Sequence, residues 1–285
     1  MLNITKISFP GLGIPEFSVN SVAFEIFGIP IAWYALIITL GMILCVLYIM
    51  YRAKGIGIIP DEILDYAIFV IPIGIIGARL YYVLSEIDSY GSLAEVFDIR
   101  SGGLAIYGGI IAGSITVYVV SRIKKINFLA FADCVVPGLI LAQAIGRWGN
   151  FMNGEAYGYE TDIFCRMGLD FGYGISYYHP TFLYESLWNI LGFVLINIFY
   201  KHKKYDGQIF LMIFGWYGLG RMLIEGLRTD SLTFTIFGTV FRTSQVLAAV
   251  LFVICTAFLI YFAFKKPNKE FYHRINIKTE KKENK

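Results

Sequence analysis

Unbroken apolar runs of about twenty residues, each followed by a short polar segment, recur along this chain. A hydrocarbon core ~30 Å thick needs a helix of that length. Strands of an outer-membrane barrel are about half as long and alternate apolar with polar, so the spans are predicted as helices. They fall at roughly 31–52, 63–84, 104–121, 128–147, 181–200, 207–225 and 244–264. The first thirty residues break the pattern. Pro10, Gly11, Gly13, Pro15 and Pro30 interrupt any helix there, and the basic-then-apolar order of a cleavable signal peptide is missing.

Composition agrees with the runs. Of 285 residues 57% are hydrophobic and only 16% charged, too apolar for a soluble domain of this size. The expected architecture is an all-α integral membrane protein with about seven transmembrane helices, forming a single membrane domain over 1–285. Its parts are an outer-surface N-terminal segment at 1–30, a seven-helix core at 31–264 with an outer loop at 156–179, and a basic cytoplasmic tail at 265–285. No internal repeat suggests an inverted-repeat transporter. Cys45, Cys134 and Cys255 lie in or beside spans and only Cys165 lies in an outer segment, so no disulfide framework is expected.

Basic residues set the expected orientation. Arg52 and Lys54 follow the first span, Arg122, Lys124 and Lys125 the third, Lys201, Lys203 and Lys204 the fifth, and a Lys-rich tail the last. All four segments fall on one side, which the positive-inside rule makes cytoplasmic, with the N-terminus outside.

That topology gathers the intramembrane polar residues near the outer surface. The run Gly146-Arg147-Trp148-Gly149-Asn150-Phe151-Met152-Asn153-Gly154-Glu155 follows the fourth span, taken to end at Arg147. Tyr217, Arg221 and Glu225, spaced i, i+4 and i+8, share a face of the sixth; Arg228 extends it. Tyr34, Tyr107, Arg79, His179 and Glu185 reach the same level. Arginine's planar fork suits phosphate oxygens bidentately, so Arg147 and Arg221 point to a phosphate-bearing guest. The alternative is that the arginines snorkel or pair with Glu86, Glu155, Glu185 or Glu225 to join helices; for Arg79 both readings stand. Gly102, Gly103, Gly108 and Gly109 permit either an irregular backbone that a ligand approaches or tight helix packing. Pro72 and Pro137 read as kinks, and Asp133 as an inner-end packing or capping group.

Four blocks carry a family resemblance: the Gly146–Glu155 run; Gly102-Gly103-Leu104-Ala105-Ile106-Tyr107-Gly108-Gly109; His179-Pro180-Thr181-Phe182-Leu183-Tyr184-Glu185; and Tyr217 with Arg221, Glu225 and Arg228. With Trp33-Tyr34 and the seven spans, the chain resembles the phosphatidylglycerol prolipoprotein diacylglyceryl transferases of bacterial inner membranes. The resemblance implies transfer of a diacylglyceryl group from phosphatidylglycerol to the lipobox cysteine thiol in a prolipoprotein signal peptide, at a site facing the outer leaflet. It further implies that Arg147 and Arg221 hold the lipid phosphate. Asn150, Asn153, Glu155, Tyr34, Tyr217 and Glu225 would shape the pocket, and Gly108 and Gly109 would lie against substrate. Many members carry a histidine where this chain has Tyr107, and a neutral tyrosine, of unperturbed pKa ~10, is a poor base.

The implied chemistry places growing negative charge on a departing phosphate, which paired arginines favour. The substrate thiol has an unperturbed pKa of ~8.5, so nearby guanidinium groups would raise its thiolate fraction, with Glu155 or Glu225 accepting the proton and Tyr107 orienting a lipid oxygen or the peptide. No cofactor is required. His179 has no second ligand at metal spacing, so no metal is expected, and it reads as a positioning residue. The expected partners are the two substrates and the bilayer, with no nucleic acid. A transporter or channel for an anionic or phosphorylated substrate is the rival reading, but it asks for polar residues at both depths, and the inner halves of the first, third, fifth and seventh spans are almost wholly apolar. A seven-helix receptor leaves the charged outer clusters unexplained.

Overall fold

The computed structural model describes residues 4–98, 102–170, 172, 174–236 and 239–265. The expected basic tail, apart from Lys265, lies outside them. In chain order the elements are strands β1 (Ile4–Phe9), β2 (Ile14–Asn20), β3 (Val22–Ile26) and β4 (Ile29–Ala32), then helices α1 (Trp33–Ala53), α2 (Pro60–Ser85), α3 (Leu93–Phe97), α4 (Ile106–Ile123) and α5 (Phe128–Asn153). Strands β5 (Met167–Asp170) and β6 (Ile175–Tyr178) precede α6 (Thr181–Phe199) and α7 (Gln208–Glu225); β7 (Thr233–Ile236) and β8 (Thr239–Arg242) precede α8 (Thr243–Lys265).

The protein is predominantly helical, and six helices, α1, α2, α4, α5, α6 and α8, are each long and apolar enough to cross a membrane. It is a multi-pass membrane protein. Helix α7 forms where the sixth span is expected but is not among the six; Gln208, Arg221, Glu225 and three interior glycines dilute its apolar content. The short strands depart from an all-helical chain. They occupy the Pro- and Gly-broken N-terminal segment and parts of the polar stretches before α6 and α8, where the chain cannot continue as helix. Several helix ends shift by two residues or more, and two of the differences have a clear cause. The first helix starts at Trp33 because Ile31 and Ala32 belong to β4, and α5 runs on to Asn153 instead of stopping at Arg147.

The chain divides into two compact units, with boundaries inside α1 and α5. In residues 48–134, α2 and α4 pack through small residues. A side chain at Gly77 would collide with Ala112 and the Gly108 carbonyl, and one at Gly108 with the Gly77 carbonyl and Tyr81. Such close backbone approach is how helices associate where lipid removes the hydrophobic drive between them. The Tyr66 hydroxyl lies 2.8 Å from Ser121 Oγ, and Lys124 Nζ lies 2.7 Å from Asp65, tying the other end of the pair. Asn127 caps α5, its Oδ1 accepting from the backbone N–H groups of Leu129 and Ala130 at 3.0 and 3.2 Å.

In the other unit, residues 4–47 and 135–265, a four-stranded antiparallel sheet runs β2-β1-β5-β6, joining the N-terminal segment to residues 167–178. Its buried face, Ile7, Phe9, Val19, Met167 and Leu169, packs on Phe182 at the start of α6 and Phe151 and Met152 at the end of α5. Those two helix ends carry the polar residues singled out from sequence. Away from the sheet, Val136 and Ile140 of α5, Ile196 of α6 and Ile209 and Ile213 of α7 form a second core.

An arginine–carboxylate network on three helices

Continuation of α5 to Asn153 puts Arg147 and Asn150 three residues apart on one helix face. Arg147 Nη1 donates to Asn150 Oδ1 at 3.2 Å, and Asn150 Nδ2 donates onward to Glu155 Oε1 at 2.9 Å. The helix stops at Gly154, whose φ of +64° suits glycine. The Gly154 N–H bonds the Phe151 carbonyl at 3.0 Å and the Glu155 N–H the Asn150 carbonyl at 3.1 Å, a Schellman closure. That turn folds Glu155 back so that Asn153 Nδ2 also reaches its Oε1, at 3.2 Å. At Gly149 a Cβ would lie 2.7 Å from the Tyr34 ring, so the glycine makes room for Tyr34.

The centre of the network is Glu185, one turn into α6 and only 4% exposed. Arg147 Nη2 lies 2.7 Å from its Oε2, while Arg221 Nη1 and Arg228 Nη1 both donate to its Oε1, at 2.8 and 3.2 Å. Arg221 Nη2 also stands 2.8 Å from Glu225 Oε2, an ion-pair contact without the alignment of a hydrogen bond. Arg228 grips Asp230 with two donors, at 2.9 and 2.6 Å. Three guanidinium groups and three carboxylates thus meet across α5, α6, α7 and the turn after α7. Burial opposes the charge on Arg228, yet the Asp230 hydrogen bonds and the Glu185 carboxylate hold its pKa above the ordinary value. Burial likewise opposes ionisation of Asp230, and Arg228 outweighs it, drawing that carboxyl below its usual range.

Two tryptophans set the spacing of α6 and α7 beneath this network. Trp188 and Trp216 stack at 4.3 Å between ring centroids, and Gly192 and Gly220 leave the space their indoles fill. Beside the network, the Gly158 N–H bonds the His179 carbonyl at 2.9 Å, and the Tyr159 N–H the Leu227 carbonyl at 2.9 Å. A side chain at Gly158 would lie 2.6 Å from the Leu227 carbonyl, so that crossing needs glycine. His179 works here through its backbone and an Nδ1 contact to the Tyr184 hydroxyl at 3.3 Å, and burial lowers its pKa.

Arg147, Asn150, Asn153, Glu155, Arg221 and Glu225 therefore lie on one continuous network, with Tyr34 against the α5 segment that carries it. Tyr217 lies one turn before Arg221 on α7. Tyr107, Gly108 and Gly109 belong to the unit of residues 48–134, where Gly108 is used in packing against α2. Arg79 is structural: it donates to the carbonyls of Glu95, Val96, Gly102 and Gly103 at 2.7, 2.9, 2.6 and 3.1 Å. Gly102 and Gly103, at φ +91° and +74°, turn those last two carbonyls toward it. Sequence reasoning undervalued Glu185 and missed Arg242, the last residue of β8. Arg242 donates to the Glu225 carbonyl and, at 2.7 Å, to the Tyr159 hydroxyl. Their signals were present: an acid inside an apolar helix, and the one charge in the stretch from 233 to 242.

Fold and site together define a multi-pass helical membrane protein whose chemistry is an arginine–carboxylate network at one end of three helices. The profile of the family described as prolipoprotein diacylglyceryl transferase matches residues 21–261, and the chain belongs to that family. It is similar to a phosphatidylglycerol–prolipoprotein diacylglyceryl transferase of Clostridioides difficile, 48% identical over 214 residues, 75% of this chain and 85% of the relative. The enzyme of that name from Streptococcus pneumoniae serotype 4 is 46% identical over 259 residues, covering 87% of this chain and 95% of the relative. The one from Enterococcus faecalis is 42% identical over 271 residues, 90% and 95%.

Proposed function

We infer that this chain is the enzyme that transfers the diacylglyceryl group of phosphatidylglycerol to the thiol of the prolipoprotein lipobox cysteine. Family membership across almost the whole length supports this reaction. The observation that carries the site assignment is the meeting of Arg147 and Arg221 on one buried carboxylate, Glu185. Glu185 holds the two guanidinium groups as a pair, while each keeps further N–H donors for phosphate oxygens.

In the reaction the substrate thiolate attacks the glyceryl carbon bonded to the phosphate oxygen. The C–S bond forms as the C–O bond breaks, glycerol phosphate leaves with the electron pair, and a thioether remains. Arg147 and Arg221 stabilise the charge gathering on the departing phosphate in a low-dielectric setting. The thiol proton goes to Glu155, which is exposed and held by two asparagine amides, in preference to Glu225, which is buried against Arg221. Asn150 and Asn153 orient Glu155, and Tyr34 and Tyr217 border the lipid; Gly108 and Gly109, expected from the resemblance to lie against substrate, have their open sides turned to α2 and serve its close packing.

We place the protein in a bacterial plasma membrane as one domain, with α7 as a seventh crossing, the N-terminus outside, the basic segments cytoplasmic and the network at the outer leaflet. The apolar spans and the one-sided basic segments after α1, α4, α6 and α8 support that arrangement. Purified protein, phosphatidylglycerol and a lipobox peptide test the reaction: thioether peptide and glycerol phosphate should appear together, and transfer should fall at least ~100-fold in Arg147→Ala and in Arg221→Ala. Undiminished transfer in both variants would remove the phosphate assignment.

A further inference from the structure

Two hairpins in this protein are built alike. The sequence Phe-x-Ile-Phe-Gly occurs at 24–28 and again at 234–238. In β3–β4 Phe24 pairs with Ile31 and Ile26 with Ile29; in β7–β8 Phe234 pairs with Phe241 and Ile236 with Thr239, which is the same register 210 residues on. Each second strand runs straight into a membrane-spanning helix, β4 into α1 and β8 into α8, with no residue between. Each is also closed in the same way. The first helical N–H reaches back to the residue before the hairpin, Trp33 to the Ser21 carbonyl at 2.9 Å and Thr243 to the Leu232 carbonyl at 2.8 Å.

Their surfaces are apolar where water would be expected. Phe27 is 100% exposed and Val240 63%, and Phe24, Ile26, Ile29 and Phe241 are exposed as well. Glu25 is the one charged residue from 22 to 32 and Arg242 the one from 233 to 242, and Arg242 is engaged with the Glu225 carbonyl and Tyr159. Phe27 and Gly28, at φ +49° and +78°, make the two-residue turn that matches strand twist, which projects the Phe27 ring from the tip.

Depth follows from continuity. A spanning helix begins at the edge of the hydrocarbon core, and the headgroup layer beyond it is ~5–8 Å deep. A hairpin of this strand length, standing upright, would lift Phe27 roughly 15 Å from the helix end at ~3.4 Å per residue. That would strand its apolar faces in water. Lying flat, the hairpin keeps those faces at the acyl boundary, where aromatic side chains are favoured.

We propose that the β3–β4 and β7–β8 hairpins are a matched pair of interfacial anchors that lie in the phospholipid layer at the membrane face where α1 and α8 begin. The pair brackets candidate site residues along the chain: Tyr34 follows β4 by two residues, and Arg242 ends β8 while holding the end of α7. The hairpins thereby fix the level at which lipid headgroups meet the polar network.

The test is photo-crosslinking of the full chain in vesicles of phosphatidylcholine and phosphatidylglycerol, with p-benzoylphenylalanine replacing Phe27 or Val240 in separate variants. Intact mass should show addition of one phospholipid at each position. Crosslinks confined to this chain or to a second copy, or no adduct at either position, would overturn the proposal, and an adduct at one position alone would overturn the pairing. Should the Phe27 variant fail to fold, Ile29 carries the probe instead. The readout needs no turnover, so its failure is distinguishable from failure of the transferase assignment.

Discussion

Trp188 and Trp216 each donate an indole N–H to the other's backbone carbonyl, at 3.0 and 2.9 Å. The exchange is reciprocal and joins α6 to α7 three residues beyond Glu185 on one helix and five before Arg221 on the other. It satisfies two polar groups that apolar surroundings would otherwise leave costly.

A methyl group at Gly220 would enter the Trp188 ring, and one at Gly192 the Trp216 ring. Gly220→Ala and Gly192→Ala should each destabilise the protein by about 1–3 kcal/mol, the usual range for overpacking. Thermal unfolding in detergent reads the loss. Transfer should fall alongside it, because a shift of α7 against α6 separates Arg221 from Glu185; an unchanged melting temperature would show that the rings move aside freely.

Glu185 should be the least replaceable carboxylate of the network. Glu185→Gln removes the shared counter-charge of three arginines, two of them within 2.8 Å. Breaking one side of a buried ion pair costs about 3–5 kcal/mol. The variant should express poorly or melt early, whereas Glu155→Gln, altering an exposed carboxylate, should fold normally and lose transfer. Equal stability of the two variants would contradict the central place given to Glu185.

Acid should loosen the turn after α7. Arg228 holds the folded-state pKa of Asp230 below its unfolded value, so the pair's contribution is present above about pH 4 and is lost as pH falls through the lower, folded-state pKa. Asp230→Asn should flatten the acid limb of a stability-against-pH curve and leave the neutral region little changed in slope. An acid limb identical to that of the parent protein would exclude Asp230 as its source.

Tyr107→Phe should retain transfer to within about tenfold, since an orienting hydroxyl supplies one hydrogen bond. Abolished transfer with lipid binding intact would instead give the phenol a chemical part.

Much of the fold was legible because membrane thickness fixes helix length, so apolar runs alone place each helix within a few residues. What escaped was structure that depends on partners distant in sequence. Strand β1 pairs with β5 across some 160 residues, a partnership that no local pattern displays. The extension of α5 was hidden because polar residues ordinarily end a span; here Arg147 and Asn150 satisfy each other on the helix face and Gly154 supplies the stop. The arginines of the network were readable from their cost in lipid. Glu185 was not readable as its centre, because only the convergence of α5, α6 and α7 makes one acid serve three of them. Arg79 shows the converse: an arginine of equal apparent cost spends its donors on backbone carbonyls, which sequence does not display.

The Glu185 carboxylate has a bearing on turnover. On the proposed assignment a lipid phosphate binds by borrowing guanidinium donors that a resident anion already engages. Glycerol phosphate, once released from the glyceryl carbon, carries roughly one more negative charge than the diester it came from. Arg147 and Arg221 would hold such a product tightly if they stood alone. With Glu185 between them, the enzyme keeps its own competitor in place, so the empty site is regenerated by a side chain that never leaves.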